Sequence, residues 1–269
     1  MATQRNRPKV LVVTPEIAAL PETMGPNGAY PIAKSTDLAD VASSIIRELS
    51  TSGVDTHLAL PDYRDHFRRE IRALSDNKGI CTPRRAFGPR VHMARDRCFF
   101  LNDHLDGRDP TSNLEAALAF QREVLNDIIP HVQPDFLISC DWMTGLIPAA
   151  MQFRHTPSLF VVHHLDNGWT TLSHFEDRGI DALDFWDHLY FRRLPTNYEE
   201  SRRRNPVDFL LSGIFASSFV TSTNPILWED LGRPQSRFIT SGFKQEWQRK
   251  QRQGDVIGQH ALSSSAFSV

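Results

Sequence analysis

Short apolar segments that alternate with helical patterns are the feature of this sequence that most restricts its fold. Runs such as KVLVVT (residues 9–14) and SLFVVH (158–163) are apolar at successive positions, so both faces of each strand must be covered. Further strands are predicted at 55–60, 97–101, 136–139 and 219–221. Helices are predicted over 38–49, 114–129, 145–153, 208–216 and 226–231. This alternation predicts a doubly wound α/β domain with a parallel sheet.

Three segments depart from the alternation. Residues 15–34 are predicted to form a long loop after the first strand, and a loop of that length usually carries function or is mobile. Residues 169–204 lack a clear strand and are dense in aromatic and charged residues, which predicts a helical insertion. Residues 244–269 are rich in Gln, Ser and Arg without apolar periodicity, which predicts a disordered tail. We therefore expect one Rossmann-like domain over residues 1–243.

The composition is that of a globular chain with balanced charge. Of the 269 residues 40% are hydrophobic, and 30 basic residues oppose 32 acidic ones. This balance does not favour nucleic acid or an anionic membrane surface as a partner. The amino-terminal residues contain no apolar signal segment, and no run reaches the roughly 18 apolar residues of a membrane span. Because the three cysteines also lack disulfide or metal-ligand spacing, we expect a cytoplasmic protein.

Polar residues follow the predicted strands, where ligands bind to a doubly wound sheet. The segment AKSTDLADV (33–41) opens the first helix and carries Lys34 beside helix-start amides, an arrangement suited to a phosphate anion. In the alternative interpretation Lys34 is a solvated loop residue and Asp37 caps the helix.

Asp141 directly follows the strand at 136–139. At this position its carboxylate is suited to take a hydroxyl proton or to bind a sugar hydroxyl. The alternative is that Asp141 caps the helix that follows. The segment VTSTNPILWEDL (220–231) repeats the order of strand, polar turn and helix, and by itself favours a structural crossover.

The segment VVHHLDNGW (161–169) places His163, His164 and Asp166 after another strand. Adjacent side chains of an extended chain point in opposite directions, so one imidazole is expected to reach a ligand while the other packs or faces water. A metal-dependent hydrolase using these three residues is an alternative, although the helical H-E-x-x-H spacing is absent. The chain also lacks G-x-G-x-x-G, P-loop and G-x-S-x-G motifs.

Six segments, taken in order, resemble the N-terminal domain of bacterial glycogen synthases and plant starch synthases. VTPEIAAL (13–20) resembles V-T-P-E-[IVA]-A-P, KSTDLADV (34–41) resembles K-[TV]-G-G-L-A-D-V, and LALPDY (58–63) resembles L-L-P-x-Y. CDWMTGLIPAA (140–150) resembles H-D-W-x-[TA]-[GA]-L-x-P, and VVHHL (161–165) resembles T-[IV]-H-N-L. TSTNPILWEDL (221–231) is a looser match to T-V-S-P-T-Y-A-x-E-[IL].

The resemblance implies a GT-B glycosyltransferase with two Rossmann-like domains. Such an enzyme transfers glucose from ADP-glucose to an α-1,4-glucan with retention, and needs no metal or cofactor. By the same resemblance, Asp141 and His163 are the candidate catalytic residues that line the sugar and acceptor side of the cleft. Lys34 is expected to approach the donor phosphate, and Asp40 and His164 to bind ligand.

The sequence differs from the family pattern at several of these positions. Thr36 and Asp37 replace a glycine pair that lets a phosphate approach the backbone, and Cys140 and His164 replace a histidine and an asparagine. Nothing after Leu231 resembles the family's second domain. We therefore expect an incomplete glucosyltransferase that a separate chain could complete; the alternative is a non-catalytic carbohydrate-binding or regulatory domain.

Overall fold

The computed structural model describes residues 7–24, 37–63, 88–101, 110–165, 168–231, 233 and 239–258. A sheet of six parallel strands in the order β3-β2-β1-β4-β5-β8 lies at its centre. The strands are β1 (Lys9–Val13), β2 (Asp55–Pro61), β3 (Val91–Ala94), β4 (Phe136–Cys140), β5 (Ser158–Val162) and β8 (Phe219–Ser222). Two short strands, β6 (Trp169–Thr170) and β7 (Val207–Asp208), form a separate antiparallel pair. The parallel order confirms the predicted doubly wound, Rossmann-like fold.

Helices alternate with these strands along the chain. They are α1 (Asp37–Thr51), α2 (Arg97–Leu101), α3 (Pro110–Glu123), α4 (Ile129–Val132), α5 (Ile147–Phe153), α6 (Leu172–Asp177), α7 (Tyr198–Arg204), α8 (Phe209–Ala216), α9 (Pro225–Leu231) and α10 (Ser241–Gln253). Within the described ranges, none of these helices has the length and apolar character needed to cross a bilayer.

Both faces of the sheet are buried, because successive side chains of a strand point to opposite sides. In β1, Leu11 and Val13 join an apolar cluster with α3, α4 and α5, whereas Val10 and Val12 join a cluster with α1. A third cluster packs β5 and β8 against α8 and α10. This two-sided burial is the reason why the strands read as continuous apolar runs.

One predicted strand is wrong. Residues 97–101 form helix α2, and the edge strand β3 lies earlier, at Val91–Ala94. The carboxylate of Asp96 accepts a hydrogen bond from the backbone N–H of Cys98 (2.8 Å) at the start of α2, an arrangement that favours a helix. The apolar run CFFL concealed this helix start, and a short apolar run alone does not separate strand from helix.

The helix predicted over 114–129 is longer than expected. α3 continues through a π-helical segment (Val124–Ile128) into α4, which ends where Gln133 adopts a left-handed backbone with φ of 51°. Pro130 was expected to end the helix, but it lies in the first turn of α4. A missing backbone N–H is tolerated best at that position.

The predicted insertion over 169–204 is only partly helical. It contains α6, α7 and a short 3-10 turn (Trp186–His188), and it begins with strand β6, which the sequence did not reveal. β6 pairs with β7 through Trp169 opposite Asp208 and Thr170 opposite Val207. A two-residue strand is too short to produce a recognisable alternation.

The prediction of a disordered tail is wrong for residues up to Gln253. α10 occupies this region, and its inward positions Phe243, Trp247 and Lys250 follow helical spacing. Phe243 and Trp247 pack in the same cluster as β5 and β8, and Val256 forms a parallel bridge with Val220. With only three inward positions, the polar composition masked the helical period. Residues 259–269 of the predicted tail lie outside the described residues.

Three histidines pack together toward the amino ends of β2 and β3. Nδ1 of His57 lies 2.9 Å from Nε2 of His92, and the ring of His92 meets that of His131 edge-on at 5.8 Å. Burial, together with the charges of the two neighbouring imidazoles, lowers the pKa of His92 to about 4. His92 is therefore neutral near pH 7, at the end of the sheet opposite to the carboxyl ends of the strands.

Replacement of Trp247 tests whether α10 belongs to the folded domain. Trp247 is 1% exposed, stacks on Phe243 at 5.8 Å and meets Trp228 edge-on at 5.4 Å. We expect Trp247→Ala to lower the free energy of unfolding by about 3–5 kcal/mol in urea denaturation, because it leaves a cavity. The exposed neighbour in the control Gln248→Ala should change it by less than about 0.5 kcal/mol. Equal stability of the two variants would contradict the packing of α10.

Candidate functional site

The strand order places the candidate site at the carboxyl edge of the sheet. β1 is flanked by β2 and β4. The chain adds β2 and β3 on one side of β1 and then crosses to add β4, β5 and β8 on the other side, so the strand order reverses between β1 and β4. In doubly wound sheets, a crevice for ligands opens outside the carboxyl ends of the strands at this point. Asp141 follows β4, His163 and His164 follow β5, and Thr223 and Asn224 follow β8.

Asp141 occupies a backbone conformation that only glycine adopts readily, with φ of 68° and ψ of 170°. Its N–H donates to the carbonyl of Val161 (2.9 Å), and its own carbonyl accepts from the N–H of Thr144 (3.0 Å). The hydroxyl of Thr144 also lies 2.9 Å from that carbonyl. These bonds fix the turn between β4 and the helix that follows. Neighbouring structure thus holds a strained residue in place, which is typical of functional sites.

The carboxylate of Asp141 binds His164 twice. Oδ1 accepts from the backbone N–H of His164 (3.1 Å), and Oδ2 lies 2.5 Å from Nδ1 of the ring. A carboxylate only accepts, so Nδ1 carries the proton and the lone pair of the neutral ring is at Nε2. The carboxylate is almost fully buried, whereas the imidazole is about half exposed. Asp141 does not bond to the following turn through its side chain, which excludes the capping alternative.

His163 is held by residues that follow β8. Its Nδ1 lies 2.7 Å from Oγ1 of Thr223, and its carbonyl accepts a hydrogen bond from the side-chain amide of Asn224 (2.8 Å). The amide oxygen of Asn224 accepts from the backbone N–H of Ile226 (3.0 Å) at the start of α9. Asn224 therefore ties the start of α9 to the end of β5 and fixes the position of His163.

Burial and neighbouring charges act in opposite directions on the pKa of His163. Burial lowers the pKa below its usual value and the neighbouring His164 lowers it further, whereas the carboxylates of Asp141 and Asp37 raise it. Asp37 is the first residue of α1. Burial also raises the pKa of the Cys140 thiol to about 12, so this cysteine is a neutral, unreactive group below the site.

The structure brings together three of the predicted residues, Asp141, His163 and His164. Asp40 lies in the first turn of α1 with an exposed side chain. Lys34 and Asp166 lie outside the described residues. In the part of the chain that the structure covers, no group of three or more His, Cys, Asp or Glu side chains is arranged to hold a metal ion.

The expectation that His163 and His164 point in opposite directions is wrong. Their rings meet edge-on with centroids 4.6 Å apart. β5 ends at Val162, so the two histidines are outside the strand and strand alternation does not apply to them. Sequence reasoning also missed the roles of Thr223 and Asn224, although it marked the segment that contains them. Their contacts depend on the neighbouring positions of β5 and β8, which a sequence pattern does not reveal.

Comparison with known families places most of the chain in one of them. The family model described as starch synthase catalytic domain matches residues 9–244. This match includes Asp141, His163, His164 and both residues that hold His163.

Curated relatives include glycogen synthases. A glycogen synthase of Treponema denticola is 21% identical over 265 residues, which cover 87% of this chain and 48% of the relative. A glycogen synthase of Cellvibrio japonicus is 26% identical over 240 residues, which cover 80% of this chain and 47% of the relative. The chain thus spans about half the length of these curated relatives.

Among solved structures, the catalytic domain of starch synthase IV from Arabidopsis thaliana, bound to ADP and acarbose, is similar to this chain with a TM-score of 0.57. The match has 15% sequence identity and covers 94% of this chain and 51% of that structure. At this identity the likeness concerns the fold.

The pKa of His163 tests the geometry of the site. Following its ring signals by NMR during a pH titration, we expect a pKa below 6.5. Asp37→Asn should lower this pKa further, because it removes a negative charge. His164→Asn should raise it, because it removes a second imidazole whose protonation opposes that of His163. Shifts of the same sign in both variants would contradict the arrangement.

Proposed function

Because the chain belongs to the starch synthase catalytic domain family of glycosyltransferases, we propose that it forms the acceptor-side half of a glucosyltransferase. In the proposed reaction, glucose passes from ADP-glucose to the end of an α-1,4-glucan with retention of the anomeric configuration. The observation that supports this proposal is the buried carboxylate of Asp141, held against His164 at the carboxyl edge of the sheet.

The chemistry of these residues suits sugar hydroxyls better than a covalent nucleophile. In the transfer, the bond between C1 of glucose and the phosphate oxygen breaks, and a bond from C1 to the acceptor 4-oxygen forms. ADP leaves with the bonding electron pair, and the proton of the acceptor hydroxyl passes to its departing phosphate oxygen. We assign His163 to a hydrogen bond with the reacting sugars, and His164 to a ligand contact through Nε2. Asp141 takes part by holding His164 in place, since both oxygens of its buried carboxylate bond to that residue. Asp141 also fixes the tautomer of His164.

The donor phosphate needs cationic groups as charge develops on it. Lys34 is our candidate for one of them, by its place in the K-x-G-G-like motif. Asp37 counteracts such a role, since it adds a negative charge where the family has glycine. We therefore propose that the main phosphate contacts come from a second, nucleotide-binding domain, whether on another chain or on further residues of the same protein. Asp40 is a further candidate ligand residue on the exposed side of α1.

A second candidate function is non-catalytic carbohydrate binding. The replacement of the glycine pair by Thr36 and Asp37 favours it, because bulk and negative charge both oppose a bound phosphate. Both candidates require a glucan at the Asp141 site, but only the first requires transfer of glucose.

Complementation with a second domain separates the two candidates. We would join this chain to the carboxyl-terminal half of the Cellvibrio japonicus glycogen synthase and follow incorporation of radioactive glucose from ADP-glucose into glycogen. We expect no incorporation by the 269-residue chain alone and clear incorporation by the fusion. The new linkages should be cleaved by β-amylase, as α-1,4 bonds are. In the fusion, Asp141→Asn should reduce the rate about 100-fold or more, because it weakens a preorganised polar contact.

The matched control is Asp187→Asn, an exposed carboxylate in the 169–204 segment, which should leave the rate unchanged. Transfer by the isolated chain would contradict the need for a second domain. An active fusion that is insensitive to Asp141→Asn would contradict the site. A folded fusion that binds glucan without transfer would favour the non-catalytic candidate.

A further inference from the structure

Trp169 is a large aromatic side chain left in solvent, with 59% of its surface exposed. An exposed tryptophan ring leaves a large apolar area in contact with water, and a ligand that covers the ring removes that area from water. Trp169 lies five residues after His164, between the candidate site and α6.

The backbone around Trp169 is fixed. Trp169 pairs with Asp208 across β6 and β7, and the carbonyl of Gly168 accepts a hydrogen bond from the N–H of Phe209 (2.9 Å). Asp208 caps α8, since its carboxylate accepts from the N–H of Leu211 (2.8 Å). The backbone that carries the exposed ring is therefore hydrogen-bonded to the start of the buried helix α8.

Gly168 connects this ring to the candidate site. A Cβ atom at Gly168 would lie 2.4 Å from Cζ3 of Trp142, so the backbone here packs directly on the indole of Trp142. Trp142 is the residue after Asp141 and packs against Phe209, with ring centroids 6.3 Å apart. Gly168 therefore links the two places: it precedes Trp169 in the sequence, and it packs on Trp142, the residue after Asp141.

Arg192 supports the ring of Trp169. Its guanidinium carbon lies 5.9 Å from the ring centroid, within the range of a cation–π interaction. The backbone N–H of Arg192 donates to the carbonyl of Pro206 (2.9 Å), which anchors the arginine next to β7. The arrangement places the N–H donors of a guanidinium beside an exposed aromatic ring.

We propose that Trp169 and Arg192 form a subsite for a glucose unit of an α-glucan chain whose end lies at Asp141. This proposal rests on the proposed function, which places a glucan at the same edge of the sheet. One face of a pyranose ring carries C–H groups that pack on an indole, and its hydroxyls accept hydrogen bonds from a guanidinium. A neutral glucan also needs no countercharge, which suits a surface where the guanidinium of Arg192 already lies over an aromatic ring.

The subsite predicts that long glucans bind better than short ones. We would measure dissociation constants of maltose and maltoheptaose for the full 269-residue chain by saturation-transfer NMR. Trp169→Ala should weaken the binding of maltoheptaose about three- to tenfold and leave that of maltose unchanged. Trp169→Phe should restore part of the loss, and Arg192→Ala should cause a smaller one.

The matched control is Phe153→Ala. Phe153 is an aromatic side chain with 45% exposure at the end of α5, toward the amino edge of the sheet. Its replacement should change neither dissociation constant. Thermal unfolding followed by circular dichroism should be the same for Trp169→Ala and the unmodified chain, because the ring is exposed.

The possible outcomes separate this subsite from the proposed function. Equal maltoheptaose binding by Trp169→Ala and Phe153→Ala would overturn the subsite, while binding by the unmodified chain would leave the proposed function standing. Absence of binding of either sugar to the unmodified chain would overturn both. If Trp169→Ala instead abolished self-association in light scattering without changing glucan affinity, the ring would be a contact with a second copy, and the subsite would be wrong.

Discussion

The buried hydrogen bonds between Asp141 and His164 are the interaction on which the rest of the candidate site depends. A positive φ at a non-glycine residue costs about 1–3 kcal/mol, and it persists only where surrounding contacts determine it. Here the carboxylate joins the residue after β4 to the residues after β5, and the backbone N–H of Asp141 bonds to Val161 in β5. His164 in turn packs on His163, which Thr223 and Asn224 connect to β8. One chain of contacts therefore crosses three neighbouring strand ends.

This construction explains why the site lies where it does. Parallel strands bring all of their carboxyl ends to one edge, and doubly wound sheets bind ligands at that edge, where the strand order reverses. At the opposite end, His57 and His92 form a tight, largely buried pair. The two groups of histidines thus have different surroundings. The first packs against His131 of α4, whereas in the second the imidazole of His164 is about half exposed next to a buried carboxylate.

Much of the fold was predictable from the sequence because strands buried on both faces give continuous apolar runs, as in β1 and β5. The failures have specific causes. Residues 98–101 are an apolar run, but Asp96 caps the helix that contains them. Helix α10 has only three inward positions in a polar sequence. In the site, Asp141, His163 and His164 stood out by their place after strands and by their motifs. The pairing of Asp141 with His164, and the roles of Thr223 and Asn224, depend on which strands are neighbours, and local sequence does not encode that.

A titration of the labelled chain with maltoheptaose tests the central claim most directly, namely that the carboxyl edge of the sheet around Asp141 binds an α-glucan. The imidazole ¹H–¹⁵N signals report on both ends of the sheet in the same sample. The account predicts that the signals of His163 and His164 shift with sugar concentration, while those of His57 and His92 stay in place. Signals of His163 and His164 that do not move at saturating sugar, or equal shifts at both ends of the sheet, would contradict it.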